Sequence, residues 1–219
     1  MSKKVAVLLS GCGVFDGSEV HEAVITLLRL SQNGVEAQCV ALDVPQTQVI
    51  NHLTGDKSKQ SRNILEEAGR IARGNIKSIK QVNTDDFAAL IVPGGFGVAK
   101  NLSNFAEKGA NCEVKPDVLS FAQQFAKAKK AVGLMCIAPI LAPAIYGKGV
   151  TCTIGNDPDT ATILQQMGAV HQNCTVADIV IDEANNLVTT PAYMLANSIS
   201  EAAIGINKLV DKVLELISL

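Results

Sequence analysis

Three short apolar runs, each cut off by a turn, constrain this chain more than anything else in its sequence. Val5 to Leu9 stops at Ser10-Gly11-Cys12-Gly13, Phe87 to Val92 stops at Pro93-Gly94-Gly95, and Ala131 to Met135 stops at Cys136. Runs that are apolar at successive rather than alternate positions suit strands buried on both faces, as in a parallel sheet covered by helices. The segments between them alternate accordingly, which predicts an α/β domain with ligands near the carboxyl ends of the strands.

A helix is expected behind Ser18 as N-cap, burying Val20, Val24, Leu27, Leu28 and Leu30 and ending at Asn33-Gly34. Val35 to Leu42 reads as the second strand. Residues 43 to 62 are polar and turn-rich, and an amphipathic helix follows over Asn63 to Arg73. A further helix carries Val118, Phe121, Ala122 and Phe125. Ile137 to Ile145 is helical in composition, with Pro139 tolerated in the first turn and Pro143 positioned to shorten or kink the rest. Thr151 to Ile154 is a short strand, and Asp157 to Asp159 cap a helix with Ile163, Leu164 and Met167. Ile179 to Ile181 and Leu187 to Thr190 form an edge hairpin across residues 183–186. A long last helix places Ile199, Ala202, Ala203, Ile206, Leu209, Val210, Val213, Leu214 and Ile217 against the sheet. With 219 residues, one domain over 1–219 is expected.

Nineteen basic residues face twenty-one acidic ones with no long run of either sign, so nothing in the charge pattern suggests nucleic acid or an anionic membrane as partner. No apolar stretch approaches the length of a membrane span, and no secretory signal pattern is visible, so a cytoplasmic protein is expected. The six cysteines are scattered without a C-x-x-C pair or a close Cys/His set, which argues against structural zinc and, in a chain without a leader, against disulfides. The loop Pro93-Gly94-Gly95-Phe96-Gly97 lacks the lysine and hydroxyl of a P-loop and does not have dinucleotide spacing.

Cys136 is the residue whose position carries chemistry. Between a buried strand and a helix it occupies a sharp turn that exposes sulfur and aims helix-terminal N–H groups at it, a setting expected to favour thiolate. Cys39 and Cys152, inside strands, read as core. The residues alone leave open whether Cys136 is catalytic, redox-active or simply buried.

A resemblance sharpens this. Gly133-Leu134-Met135-Cys136-Ile137-Ala138-Pro139, Val92-Pro93-Gly94-Gly95-Phe96-Gly97, and residues 9–19 (Leu-Ser-Gly-Cys-Gly-Val-Phe-Asp-Gly-Ser-Glu) together resemble the PfpI-like superfamily within the class I glutamine amidotransferase-like fold. Residues 51–55 (Asn-His-Leu-Thr-Gly), 99–106 (Ala-Lys-Asn-Leu-Ser-Asn-Phe-Ala) and 188–194 (Val-Thr-Thr-Pro-Ala-Tyr-Met) are similar to its ElbB branch, named for enhancing isoprenoid synthesis, so the likeness spans essentially the whole chain.

The resemblance implies a flavodoxin-like three-layer sandwich with a mostly parallel central sheet, a homodimer, and a glyoxalase-like activity of lyase type that turns glyoxal into glycolate, a face of protein deglycase activity. The reactive cysteine maps onto Cys136. Its acidic partner maps onto Glu22, with Glu19 one helical turn earlier as the alternative. Burial beside sulfur should raise that carboxyl's pKa and leave a proton to share. Backbone N–H groups of Gly95 and Ile137 are the expected oxyanion donors. Gly94, Cys12, Asn101 and His52 are candidate substrate-pocket residues. The chemistry calls for no cofactor and no metal, only a small aldehyde.

Two features depart from the superfamily pattern. No histidine occurs from Ile137 to Gly149, so a Cys/His pair does not carry over and His21, His52 and His171 would have to reach the site from elsewhere. Leu134 is bulky where nucleophile elbows prefer a small residue. The competing reading is a noncatalytic redox sensor or regulatory protein reporting through Cys136. A glutaminase-like amidotransferase is set aside because no C-terminal His-x-Glu pair is present.

Overall fold

The computed structural model describes residues 4–217. Met1 to Lys3, Ser218 and Leu219, the ends of the expected 1–219 domain, lie outside the described residues. In chain order the strands and α-helices are β1 (Lys4–Leu9), α1 (Val20–Gln32), β2 (Glu36–Ala41), β3 (Val49–Ile50), β4 (Lys57–Ser58), α2 (Ile64–Ile71), β5 (Ile76–Ser78), β6 (Ala89–Val92), α3 (Phe105–Lys108), α4 (Pro116–Lys127), β7 (Ala131–Met135), α5 (Ala142–Tyr146), β8 (Thr151–Cys152), α6 (Pro158–Gln166), β9 (Val170–His171), β10 (Val180–Asp182), β11 (Leu187–Thr190) and α7 (Ile199–Leu216).

The three apolar runs lie side by side. The main sheet runs β10-β11-β7-β6-β1-β2-β5, parallel throughout except for β10, which pairs antiparallel with β11 at the edge. This is the flavodoxin-like, class I glutamine amidotransferase-like arrangement, edge hairpin included. From β1 the chain turns outward to β2, whereas β6, on the other side of β1, leads on to β7, so the strand order reverses between β1 and β6. Ligand crevices form outside the carboxyl ends of strands at such a reversal. The loops after β1, β6 and β7 meet there.

Burial follows the apolar runs. β6 and β7 are buried at every residue, as is β1 after Lys4. On one face α1 packs against α7, which also covers β7 and β11; on the other, α4 packs against β6, β7 and α5. Gly133 admits α7 closely, since a Cβ there would come 2.7 Å from Leu209 Cδ2. Strand alternation sends Leu134 to the opposite face, where it is fully buried. Its bulk therefore fills core beneath the turn rather than crowding it.

The first helix departs from expectation in two ways. Its N-cap is Glu19, whose carboxylate accepts the Glu22 N–H at 2.7 Å, because the Ser18 hydroxyl is committed to the Ser10 N–H at 2.8 Å. Its phase also differs: Glu22, Ala23, Ile25, Thr26 and Leu30 face inward, while Val24 and Leu28 are about half exposed. Rotation of the helix brings a carboxylate, not an aliphatic side chain, to the crevice.

Several short elements were not foreseen, among them β3, β4 and β5. The turn-rich stretch 43–62 holds the β3/β4 ribbon, and β5 forms the sheet's far edge. Each of these strands is two or three residues long, and β4 and β5 each carry a lysine, so periodicity has no room to show. After Cys136 the expected helix divides into a 3₁₀ turn, Ala138–Leu141, and α5, with Pro143 near the junction. Among the described residues no helix is long and apolar enough to cross a membrane.

Candidate active site

Cys136 sits on the turn with φ +59°, a left-handed conformation costing a residue with a Cβ roughly 1–2 kcal/mol. Its N–H donates to the Thr190 carbonyl at 3.0 Å, which ties the turn to the end of β11. The residue is 8% exposed. The backbone N–H groups of Gly95 and Ile137, the two expected oxyanion donors, both favour the anionic form of the sulfur.

Glu22 is fully buried and lies beside the thiol: a Cβ on Gly94 would come 2.8 Å from its Oε2 and 2.9 Å from Cys136 Sγ. Its Oε2 accepts the Gly94 N–H at 2.7 Å and its Oε1 the Tyr193 N–H at 3.2 Å. Gly94 also accepts the Glu19 N–H at 3.0 Å, joining the loop after β6 to the start of α1. No side chain fits at Gly94: a Cβ would overlap that of Cys136 and lie 2.8 Å from Glu22 Oε2. Gly95, at φ +94°, is likewise confined, because a Cβ would meet the Gly17 carbonyl and the Glu19 N–H.

Charge in this pocket is shared. Burial, and then the Glu19 carboxylate, push Glu22 up to about 7, against the opposing pull of the Tyr193 and Gly94 N–H groups and the thiol. Burial, and then the charge of Glu22, hold the Cys136 thiol well above its ordinary range, although the Gly95 and Ile137 N–H groups favour the anion. The expectation of a thiolate favoured by the turn alone is thus corrected: the helical segment behind it is a single 3₁₀ turn, and a carboxylate in contact outweighs it. The two ionisations oppose each other, since charge on Glu22 raises the thiol. Glu22 is the partner, and Glu19 is its cap and second charge.

Four candidate pocket residues fall in two groups. Gly94 is part of the site. Asn101 is fully buried and spends its amide on the loop after β1, donating to the Ser10 and Asp16 carbonyls at 2.9 and 2.8 Å and accepting the Thr47 N–H at 3.0 Å. His52 accepts the Phe15 N–H through Nε2 at 3.1 Å and shares a 3.1 Å hydrogen bond between Nδ1 and the Ile50 carbonyl. Cys12 neighbours Glu67, Arg70, Asp16 and Arg62, and burial raises its pKa. Asn101 and His52 brace the loop that carries Glu19, and Cys12 lies on that loop.

Of the histidines, His171 accepts the Ile154 N–H at 3.3 Å and is lowered in pKa by burial. His21 alone connects to the site, through a 2.8 Å hydrogen bond between Nδ1 and the Tyr193 hydroxyl. Tyr193 was missed as a site residue because it acts through its backbone, on a turn where Ala192 takes φ +44°. Among the described residues no three His, Cys, Asp or Glu side chains converge as metal ligands.

This arrangement can hold a buried thiol and carboxyl with one proton between them, beside two N–H donors suited to a developing oxyanion. Residues 3–197 match the model of the DJ-1/PfpI family. The "ES1 protein homolog, mitochondrial" of Rattus norvegicus is 44% identical over 97% of this chain and 84% of its own length. The human "Glutamine amidotransferase-like class 1 domain-containing protein 3, mitochondrial" is 43% identical over 97% and 83%. Among solved structures, an isoprenoid biosynthesis protein with amidotransferase-like domain from Ehrlichia chaffeensis superposes with TM-score 0.92 at 34% identity, covering 98% of this chain and 99% of that one. Drosophila melanogaster DJ-1beta shares the fold, with TM-score 0.59 at 18% identity over 100% of this chain and 97% of that one.

Proposed function

Since the chain belongs to the DJ-1/PfpI family, we propose that it is a glyoxalase-like enzyme in which Cys136 and Glu22 convert glyoxal to glycolate without an external oxidant or reductant. The observation that carries this reading is the closeness of the buried Glu22 carboxyl to the Cys136 thiol, with Gly94 wedged against both: a Cβ there would lie 2.8 Å from Glu22 Oε2 and 2.9 Å from Cys136 Sγ.

The steps balance within the substrate. Thiolate, formed as its proton passes to Glu22, attacks one aldehyde carbon; the C=O π bond opens, and Glu22 returns the proton to the new alkoxide to give a hemithioacetal. The N–H groups of Gly95 and Ile137 hold the oxygen while it is negative. Glu22, again a carboxylate, removes the proton from the sulfur-bearing carbon, and the resulting enediol is reprotonated on the neighbouring carbon. One former carbonyl carbon is thereby oxidised to a thioester and the other reduced to a hydroxymethyl group. Water cleaves the thioester to glycolate and restores the thiol. Acting on a glycated side chain, the same chemistry would constitute deglycase activity.

The redox-sensor alternative draws less support: sensor thiols are low in pKa and accessible, whereas Cys136 is buried and held up in pKa. A single domain, a homodimer and cytoplasmic placement belong to this reading. The rat and human relatives carry "mitochondrial" in their names, so subcellular fractionation decides that placement. The enzymatic reading is tested by glycolate formation from glyoxal, with metals chelated, in wild type, Cys136→Ala and Glu22→Gln. Loss of turnover in both variants is expected, and undiminished turnover in Cys136→Ala refutes it.

A further inference from the structure

Outward from Glu22, the hydrogen bonds lead to two side chains that the proposed reaction does not use. Tyr193 reaches the Glu22 carboxyl with its N–H, and its hydroxyl meets His21 Nδ1 at 2.8 Å, the two rings 5.7 Å apart. His21 immediately precedes Glu22 on α1, so residues 191–194 are tied to the first turn of that helix at two points, by side chains at the rim and by a backbone donor inside. The turn's own hydrogen bonds, from Met194, Leu195 and Ala196 to the carbonyls of Pro191 and Ala192, are internal and do not fix it to α1. Ala192, at φ +44°, holds a conformation that persists only where the surroundings impose it.

We propose that His21 and Tyr193 are positioning residues: their hydrogen bond latches the 191–194 turn onto α1, keeps the Tyr193 N–H on Glu22, and so sets the pH at which the Glu22–Cys136 pair gives up its first proton. The latch rests on the proton-sharing pair proposed above. An N–H donated to a carboxyl favours the charged form, so opening the latch moves that midpoint to higher pH. The groups facing the pair are the Glu19 carboxylate, the Gly94, Gly95 and Ile137 N–H donors and the Tyr193 phenol, which is raised in pKa by burial and then by Glu19 and Glu22. His21 faces the Tyr193 hydroxyl and, at 3.9 Å, Glu19 Oε1. From α7, packed along α1, Asp211 pairs with Arg29, two turns beyond Glu22.

The test is the rate of iodoacetamide alkylation of Cys136, read by peptide mass spectrometry across about pH 5 to 9, in wild type, His21→Ala, His21→Asn, Tyr193→Phe and Glu22→Gln. Wild type should show a midpoint near 7. His21→Ala and Tyr193→Phe should move it up by about one unit, roughly the weight of one backbone donor. His21→Asn, which keeps a hydrogen-bonding group at the δ position, should leave it in place. A purely structural contact would lower thermal stability without moving the midpoint, so unshifted midpoints in His21→Ala and Tyr193→Phe, beside a lost midpoint in Glu22→Gln, overturn the latch. Retention of the wild-type midpoint in Glu22→Gln overturns the pair and the latch with it.

Discussion

The N–H of Tyr193 and the Glu22 carboxyl, 171 positions apart, meet at 3.2 Å over the buried thiol of Cys136. The carboxyl accepts this donor and the Gly94 N–H, while burial and then the Glu19 carboxylate push it up to about 7, so it is held as an acid that keeps its proton rather than as half of an ion pair. That distinction governs how the protein should respond to pH and to substitution.

Stability should fall as Glu22 ionises. Its folded pKa, about 7, lies above the ordinary carboxyl value of 4.5, so between those values the folded state binds more protons than the unfolded one and unfolding free energy declines as pH rises. Relative to Glu22→Gln, wild type should lose about 3 kcal/mol between pH 4 and pH 8. Urea unfolding of both proteins across that range checks this, and parallel pH profiles would show a carboxyl that titrates normally.

Gly94→Ala should silence the thiol without unfolding the domain. The added carbon would overlap the Cys136 Cβ and come 2.9 Å from its sulfur and 2.8 Å from Glu22 Oε2, so the reacting side chains themselves must shift. A stability loss of about 1–3 kcal/mol is expected, with a fall of roughly tenfold or more in Cys136 alkylation, since a displacement of about 1 Å in a reacting group costs about that or more. Alkylation at the wild-type rate would mean that the loop and the elbow do not meet as described.

Asn101→Ala separates bracing from substrate binding. It leaves the Ser10 and Asp16 carbonyls and the Thr47 N–H without their buried partner, which should cost about 2–4 kcal/mol. Well below the melting temperature, KM for glyoxal should change by less than about twofold, because uniform binding is not touched. A large rise in KM at unchanged stability would put Asn101 in the substrate pocket after all.

The sequence was most readable where structure depends on runs and turns. β1, β6 and β7 are apolar at nearly every position and run out into turns at Gly11, Gly94 and Cys136, so a mostly parallel sheet with these three loops meeting at one edge was legible, whereas the strand order and its reversal came only with the structure. Glu22 was identified through the family resemblance, and only the helix phase separated it from Glu19. That phase was misread because Val24 and Leu28 look like core residues, yet α1 turns them outward to bring Glu22 and Thr26 inward. Tyr193 left no usable signal, because its contribution is an N–H aimed by a positive φ at Ala192, and any residue other than proline supplies an N–H. Sequence could not sort Asn101 and His52, because polar side chains that brace a loop from within and those that bind a substrate are the same residue types.

The central claim is that Cys136 forms a covalent bond to the aldehyde carbon while Glu22 handles the proton. Mass spectrometry of protein quenched during turnover of glyoxal measures this most directly. The account expects an adduct of one glyoxal mass on the peptide carrying Cys136, accumulating in Glu22→Gln when thiolate is forced by high pH and absent from Cys136→Ala. Glycolate production with no adduct on that peptide, undiminished in Cys136→Ala, would contradict it.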